Sequence, residues 1–131
     1  MAPRFSAGKF WGQIAEAQAT WFSVVPTIIS HLLHGPINPS AECQRRLRFG
    51  RSASSALSPD IHQAFQDRFG VCVIETMGLT ETAAQILSNP LPPGQQKIGS
   101  PGIAFGNEVR IVDNNQHPVP PMTQGEIAVR G

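Results

Sequence analysis

The sequence has few cysteines, no excess of charge and no long apolar run. Its two cysteines, Cys43 and Cys72, are far apart without paired spacing, which argues against a disulfide framework and predicts reduced thiols. Ten Lys and Arg against nine Asp and Glu give a formal charge of +1, so nothing favours nucleic acid or an anionic membrane as a partner. No stretch approaches the ~20 apolar residues of a membrane span, and the N-terminus lacks the apolar core of a signal peptide. These absences predict a soluble, cytoplasmic protein.

The alternation of apolar patterns predicts helices and strands in turn. The predicted elements are a helix from Ser6 to about Ala17, a buried strand over 19–25, a helix from Pro26 to Gly35, a short strand over 46–50, a helix from Ser58 to Gly70 and a buried strand over 71–74. This order favours an α/β fold with a mainly parallel sheet flanked by helices. Ligands of such sheets bind beyond the carboxyl ends of the strands, where we expect polar loops over 50–57 and 75–82.

The C-terminal third of the chain differs in composition from the part before it. Twelve Gly and twelve Pro are many for 131 residues, and the stretch 89–106 is rich in both, which predicts loops. Residues 109–112 and 125–130 then predict two strands around a turn, a small β element. We therefore divide the chain into an α/β part, 1–106, and a truncated β segment, 107–131. Because the sequence stops directly after a strand, we expect it to be an internal fragment of a larger domain.

The segment 75–82 has the strongest chemical character. It combines Gly78, which lets the backbone approach a ligand, with the hydroxyls of Thr80 and Thr82 and the carboxylate of Glu81, which suits a hard cation. The segment alone is equally typical of a polar helix N-terminus, with Thr80 as the cap and Glu81 in the first turn.

Several motifs in order resemble the adenylate-forming superfamily, which includes acyl-CoA synthetases. The matching segments are Val-Pro-Thr at 25–27, the Ser- and Ala-rich run 52–57 before Ser58-Pro59, Thr-Met-Gly-Leu-Thr-Glu-Thr at 76–82, Lys-Ile-Gly-Ser-Pro-Gly at 97–102, Val-Arg-Ile-Val-Asp at 109–113 and Gly-Glu-Ile-Ala-Val-Arg-Gly at 125–131. Together they cover nearly the whole chain. The resemblance implies a fragment of an ATP-dependent acid–thiol ligase that forms an acyl-adenylate and then an acyl-CoA.

The resemblance also assigns roles to particular residues. Thr80 and Glu81 would be catalytic, with Thr80 on the α-phosphate and Glu81 holding Mg²⁺. The residues implied to bind ATP are Ser54, Ser55, Ala56, Glu75, Thr76, Met77, Gly78 and Thr80. The residues implied to border the acyl substrate are Gly78, Ala84 and Gln85. The implied partners are a carboxylic acid, ATP and coenzyme A, and neither the acid nor the oligomeric state follows from the sequence.

Two departures and several missing parts qualify this resemblance. Met77 stands in place of the usual aromatic residue, and 53–57 replaces a run richer in glycine and proline. The family's phosphate loop, ribose-binding Asp and catalytic Lys match nothing in this chain, so we expect the isolated chain not to complete adenylation. The alternative function is a non-catalytic α/β nucleotide-binding or interaction module.

The remaining candidate residues have ordinary structural interpretations. His31 and His34 could share a metal, but no Asp, Glu or Cys completes a set at a suitable spacing. The serines of 52–55 lack a Gly-x-Ser-x-Gly elbow, which argues against a nucleophile. His62 and His117 are predicted to face solvent. The aromatic residues predicted to pack in the core are Phe5, Phe10, Trp11, Trp21 and Phe22.

Overall fold

The computed structural model describes residues 5–83 and 85–131. The helices are α1 (Ala7–Glu16), α2 (Pro26–Leu33), α3 (Ala41–Arg46) and α4 (Pro59–Phe69). The strands are β1 (Trp21–Val24), β2 (Phe49–Ser52), β3 (Val73–Gly78), β4 (Gln85–Ser88), β5 (Ile103–Ala104), β6 (Glu108–Val112) and β7 (Glu126–Arg130), and Thr80–Thr82 form a 3₁₀ turn. Within these described ranges, no helix is both long enough and apolar enough to cross a membrane.

The main sheet contains five strands in the order β1-β2-β3-β4-β5. β1, β2 and β3 are parallel to one another, as the alternation of helices and strands predicts. β4 and β5 then add to the sheet in antiparallel orientation. The α/β fold is therefore confirmed, with a sheet that is parallel in its first half and antiparallel in its second.

The hydrophobic core lies between these strands and the helices. Phe65 and Phe69 of α4 are fully buried and pack with Trp11 of α1 and Phe22 of β1. A Cβ atom at Gly50 on β2 would lie 2.4 Å from the ring of Phe22, so only glycine permits this packing. The helix α4 ends at Gly70 in the left-handed conformation, with φ of 63°, as its sequence predicts.

Three predictions about this half of the chain are wrong. β1 is not a buried strand, because its residues alternate between exposed and buried and Trp21 is 50% exposed, stacked on Phe49. Phe5 is also 42% exposed, so only part of the aromatic set packs in the core. The strand predicted over 46–50 begins later, at Phe49, because α3 occupies the preceding residues up to Arg46.

The C-terminal strands form a separate hairpin, as predicted. β6 and β7 pair in antiparallel orientation from Glu108 opposite Arg130 to Val112 opposite Glu126. A salt bridge of 2.9 Å joins Arg130 to Glu108 across the pair. Within the described residues these strands make up a two-stranded sheet of their own. The division of the chain at residues 106 and 107 stays a prediction.

Candidate functional site

A cavity of about 710 Å³ opens where the parallel strands end. β2 and β3 run side by side, so the residues that follow β2 and the last residues of β3 meet at the same edge of the sheet. The residues that line the cavity, here called the wall, are Ser54, Ser55, Ala56, Leu57, Ser58, Pro59, Glu75, Thr76, Met77, Gly78, Leu79, Gly99 and Pro101. The wall therefore combines three segments, one of them from the loop after β4.

Glu75 is the centre of the wall. Its side chain is buried, with the residue only 7% exposed, and its carboxylate meets polar groups from three directions. Oε2 accepts from the backbone N–H of Leu57 at 3.3 Å, and Oε1 accepts from the N–H of Gly99 at 3.1 Å. Oε1 also lies 3.2 Å from Nδ1 of His62. One carboxylate thus joins both loops of the wall to helix α4.

Asn89, just beyond β4, holds the same loop from its other side. Its Oδ1 accepts from the N–H of Lys97 at 2.9 Å, and its Nδ2 donates to the carbonyl of Ser100 at 2.6 Å. Its backbone N–H donates to the carbonyl of Glu75 at 3.0 Å. Asn89 is 3% exposed, so these bonds are made without competition from water. The loop 97–101 is therefore fixed against β3 by two buried side chains.

The loop after β2 contains a residue in an unfavourable backbone conformation. Ser54 has φ of 78°, in the left-handed region that favours glycine. The run 53–57 contains no glycine, so a serine itself adopts this conformation. Backbone strain of this kind is concentrated at functional sites.

Thr80 and Glu81 lie next to the wall, directly after its last β3-side residue, Leu79. These two exposed residues are here called the mouth. Just before the mouth, the pairing of β3 with β4 shifts register at a β-bulge. Met77 pairs with Leu87, whereas Gly78 pairs with Gln85. Such bulges redirect side chains, often beside active sites.

The 3₁₀ turn at the mouth is held by contacts between its last residue and the residue before it. Oγ1 of Thr82 lies 3.2 Å from the N–H of Leu79 and 2.9 Å from its carbonyl oxygen. Leu79 is at the N-cap position of the turn, so the alternative in which Thr80 caps a helix is wrong. Thr80 and Glu81 are both exposed, so a ligand can reach them.

Most of the predicted site residues are brought together. The wall contains seven of the eight predicted nucleotide-binding residues, which come from two separate stretches of sequence: Ser54, Ser55, Ala56, Glu75, Thr76, Met77 and Gly78. The residues 75–78 belong to β3 and not to a polar loop, which corrects the prediction over 75–82. Gln85 faces Gly78 across the bulge without lining the cavity, and Ala84 lies outside the described residues.

The prediction that His62 faces solvent is wrong, and because of it the contact of His62 with Glu75 was missed. His62 is 1% exposed and lies on the buried face of α4. Residues 62, 65 and 69 are spaced by three and four, so the helical period itself places His62 beside Phe65 and Phe69. This spacing was the signal in the sequence that could have predicted the burial of His62. His117, in contrast, is exposed as predicted, beside Asp113.

The other chemistry-bearing groups do not form a site. Among the described residues, no group of three or more His, Cys, Asp and Glu side chains is arranged to hold a metal ion. Cys43 and Cys72 are free thiols, as predicted, and burial raises the pKa of both. A second depression of about 680 Å³ lies beside α1 and β1, and its lining includes Phe5, Phe10 and Ile14.

Comparison with known proteins agrees with this geometry. A family model described as AMP-binding enzyme matches residues 1–131. The chain belongs to the AMP-binding enzyme family. The family predicted from the motifs is thereby confirmed.

Relatives within the AMP-binding family are much longer than this chain. A sulfoacetate–CoA ligase from Cupriavidus necator is 49% identical over 131 residues, which is 100% of this chain and 25% of the ligase. An oxalate–CoA ligase from Saccharomyces cerevisiae is 40% identical over 97% of this chain and 23% of its own length. The crystal structure of ATP-bound MatB from Rhodopseudomonas palustris superposes with a TM-score of 0.88 at 30% identity, covering 100% of this chain and 25% of that one. The chain thus spans about a quarter of the length of the relatives it matches.

Proposed function

We propose that this chain is the part of an ATP-dependent acid–CoA ligase that carries one side of its nucleotide site. A carboxylic acid would attack the α-phosphorus of ATP, releasing pyrophosphate, and coenzyme A would then displace AMP from the acyl-adenylate. The observation that carries the proposal is the cavity at the strand ends, which gathers seven of the eight predicted nucleotide-binding residues into one wall, next in sequence to Thr80 and Glu81. Membership of the AMP-binding family supports the same activity.

The wall suits the base and sugar of a nucleotide. It offers the hydroxyls of Ser54, Ser55 and Thr76 together with the backbone of Gly78, so a polar ring edge would find both hydrogen-bonding groups and room for close approach. Met77, half-buried, would cover the adenine face through its polarizable thioether. The wall therefore provides contacts for adenine that do not depend on an aromatic side chain at 77.

The mouth suits the phosphates. The hydroxyl of Thr80 would donate to the α-phosphate, where negative charge increases during attack. The exposed carboxylate of Glu81 would hold Mg²⁺, an ion that proteins commonly bind through one or two carboxylates together with substrate phosphates. The absence of a larger acidic cluster among the described residues fits this division of ligands. When bound, Mg²⁺ supplies neutralisation of the phosphate charge.

The relatives suggest which acids to try first. The ligases named above act, by their names, on sulfoacetate and oxalate, which are short acids with a second anionic group. The wall contains no Lys or Arg, so a cation for that second group would come from outside it. Gly78 and Gln85 would border the acyl group on this side. We propose that the reaction takes place in the cytoplasm.

The test is acyl-CoA formation by the complete protein that contains this chain, with sulfoacetate, oxalate, malonate and benzoate as a substrate panel. Glu81→Ala should lower kcat about 100-fold or more, the size of effect seen when one charge-stabilising group is lost. Glu126→Ala, an exposed acid on the hairpin, is the matched control and should leave kcat unchanged. An inactive complete protein, or equal rates in both variants, would rule the proposal out.

The isolated 131-residue chain provides a second test. Because the phosphate loop and catalytic lysine of the family match nothing in it, we expect no ATP–pyrophosphate exchange from the chain alone. Robust exchange would contradict the fragment interpretation. Binding of ATP and Mg²⁺ that weakens in Glu81→Ala would show that this chain keeps half of the nucleotide site. A non-catalytic nucleotide-binding module would give the same result. The activity of the complete protein distinguishes the two functions.

A further inference from the structure

His62 does not line the cavity, yet it contacts the residue that organises the wall. Its Nε2 lies 2.9 Å from the carbonyl oxygen of Val73, and its Nδ1 lies 3.2 Å from Oε1 of Glu75. A carbonyl oxygen only accepts, so Nε2 carries a hydrogen and donates to Val73. Nδ1 then faces the Glu75 carboxylate.

This contact fixes the direction of the Glu75 carboxylate. The same Oε1 that meets His62 accepts from the N–H of Gly99, and Oε2 accepts from the N–H of Leu57. Rotation of the carboxylate would break the bonds to both loops of the wall together. His62 can resist that rotation because its ring is held at its second nitrogen and packed in the core of α4.

We propose that His62 is a positioning residue: through Glu75 it sets the separation of the loops 54–58 and 99–101, and thereby the affinity of the cavity for its ligand. The ligand is ATP on the proposed function above, and the effect on the loops is independent of it. His62 touches no substrate, so its influence is on the width of the cavity and not on the chemical step.

Two substitutions at His62 separate its contacts. His62→Asn puts an amide nitrogen near the position of Nδ1, which keeps the bond to Glu75 and loses the bond to Val73. His62→Gln puts the amide near the position of Nε2, which keeps Val73 and loses Glu75. The matched control is Gln66→Ala, because Oε1 of Gln66 accepts from the N–H of Val73 at 2.8 Å and ties the same helix to the same strand without contacting Glu75.

The experiment measures KM and kcat of the complete protein, and hydrogen exchange of peptides covering 54–58 and 97–101 by mass spectrometry. In His62→Gln we expect the KM for ATP to rise about tenfold, the equivalent of one charge-assisted hydrogen bond, with kcat and the KM for the acid changed less than about twofold. Exchange in both loops should rise as well. His62→Asn should keep the KM for ATP and the exchange of both loops at their wild-type values. Gln66→Ala should lower thermal stability without changing the KM for ATP or the exchange of the loops.

Equal behaviour of His62→Asn and His62→Gln, or an equal rise in exchange and KM in Gln66→Ala, would overturn the positioning role and leave a general packing role. The exchange measurement does not need turnover. If the wild-type protein forms no acyl-CoA, the proposed function fails, while faster exchange in His62→Gln alone would still support the positioning role and unchanged exchange would still refute it.

Discussion

The wall and the mouth of the cavity hold their carboxylates in opposite ways. In the wall, Glu75 is buried and each of its oxygens accepts a backbone N–H. At the mouth, Glu81 is exposed on a three-residue 3₁₀ turn. A buried polar group needs fixed partners, whereas an exposed one can exchange water for a ligand at small cost. The comparison assigns shape to the wall, and on the proposed function the phosphates would bind at the mouth.

Replacing each carboxylate by its amide tests this contrast most strongly. Glu75→Gln should lower the free energy of unfolding by about 3 kcal/mol, because whichever way the amide is oriented its NH₂ faces an N–H donor and leaves it unsatisfied. Glu81→Gln should change it by less than about 0.5 kcal/mol, as for other exposed substitutions. Chemical denaturation of both variants gives the two values. Similar losses in stability would remove the distinction between wall and mouth.

A second prediction concerns the attachment of the loop 97–101. Asn89→Asp replaces the Nδ2 donor by an oxygen that faces the carbonyl of Ser100, at a residue that is 3% exposed. We expect a loss of about 2 kcal/mol in the free energy of unfolding from the unpaired buried group. The same substitution at exposed Asn115 serves as the control. Equal melting temperatures for the two variants would mean that Asn89 does not hold the loop.

The strained loop of the wall gives a smaller effect of opposite sign. Ser54→Gly should raise stability by about 0.5–1 kcal/mol, because glycine adopts φ of 78° without strain and this gain exceeds the added entropy of the unfolded chain. Ser55→Gly is the neighbouring control and should lower stability slightly. Thermal unfolding measures both. A loss of stability in Ser54→Gly would show that the serine side chain itself stabilises the turn.

The smallest expected effect is the alkaline dependence of stability. Burial raises the pKa of Cys43 and of Cys72 in the folded protein. The thiols of the unfolded chain therefore lose their protons first as the pH rises above about 8.5, so stability falls from there until the folded thiols ionise as well. Denaturation midpoints between pH 7 and 10 should show a decline that is weaker in Cys72→Ala. An identical decline in that variant would exclude the thiol of Cys72 as a contributor.

The sequence predicted those features that depend on local signals. α4 follows from Ser58-Pro59-Asp60 at its start and from Gly70 at its end, and both ends are found within a residue. The segment from Glu75 to Glu81 was recognised because its motif is contiguous. The order of motifs along the chain then placed Ser54 and Glu75 in one site before the parallel pairing of β2 with β3 was known.

The features that were missed depend on contacts between distant residues. The helical period of α4 indicates that His62 is buried, but no pattern along the chain predicts its contact with Glu75, thirteen positions away. α3 is a helix of six residues, capped by Ser40 Oγ on the N–H of Cys43 at 3.2 Å, and is too short for a periodic pattern. Its residue Arg46 donates to the carbonyls of Ile14, Ala15 and Ala19, partners that no pattern along the chain predicts.

The backbone N–H groups that hold Glu75 also affect the electrostatic potential of the cavity. A bare carboxylate about 4 Å from a phosphate would repel it by about 1 kcal/mol in water and by about 4 kcal/mol in the less polar surroundings of a protein surface. Two N–H dipoles point at the Glu75 carboxylate from the loops and offset part of its negative charge. On the proposed function, the same glutamate can therefore hold the loops together and still line the site that receives a polyanion.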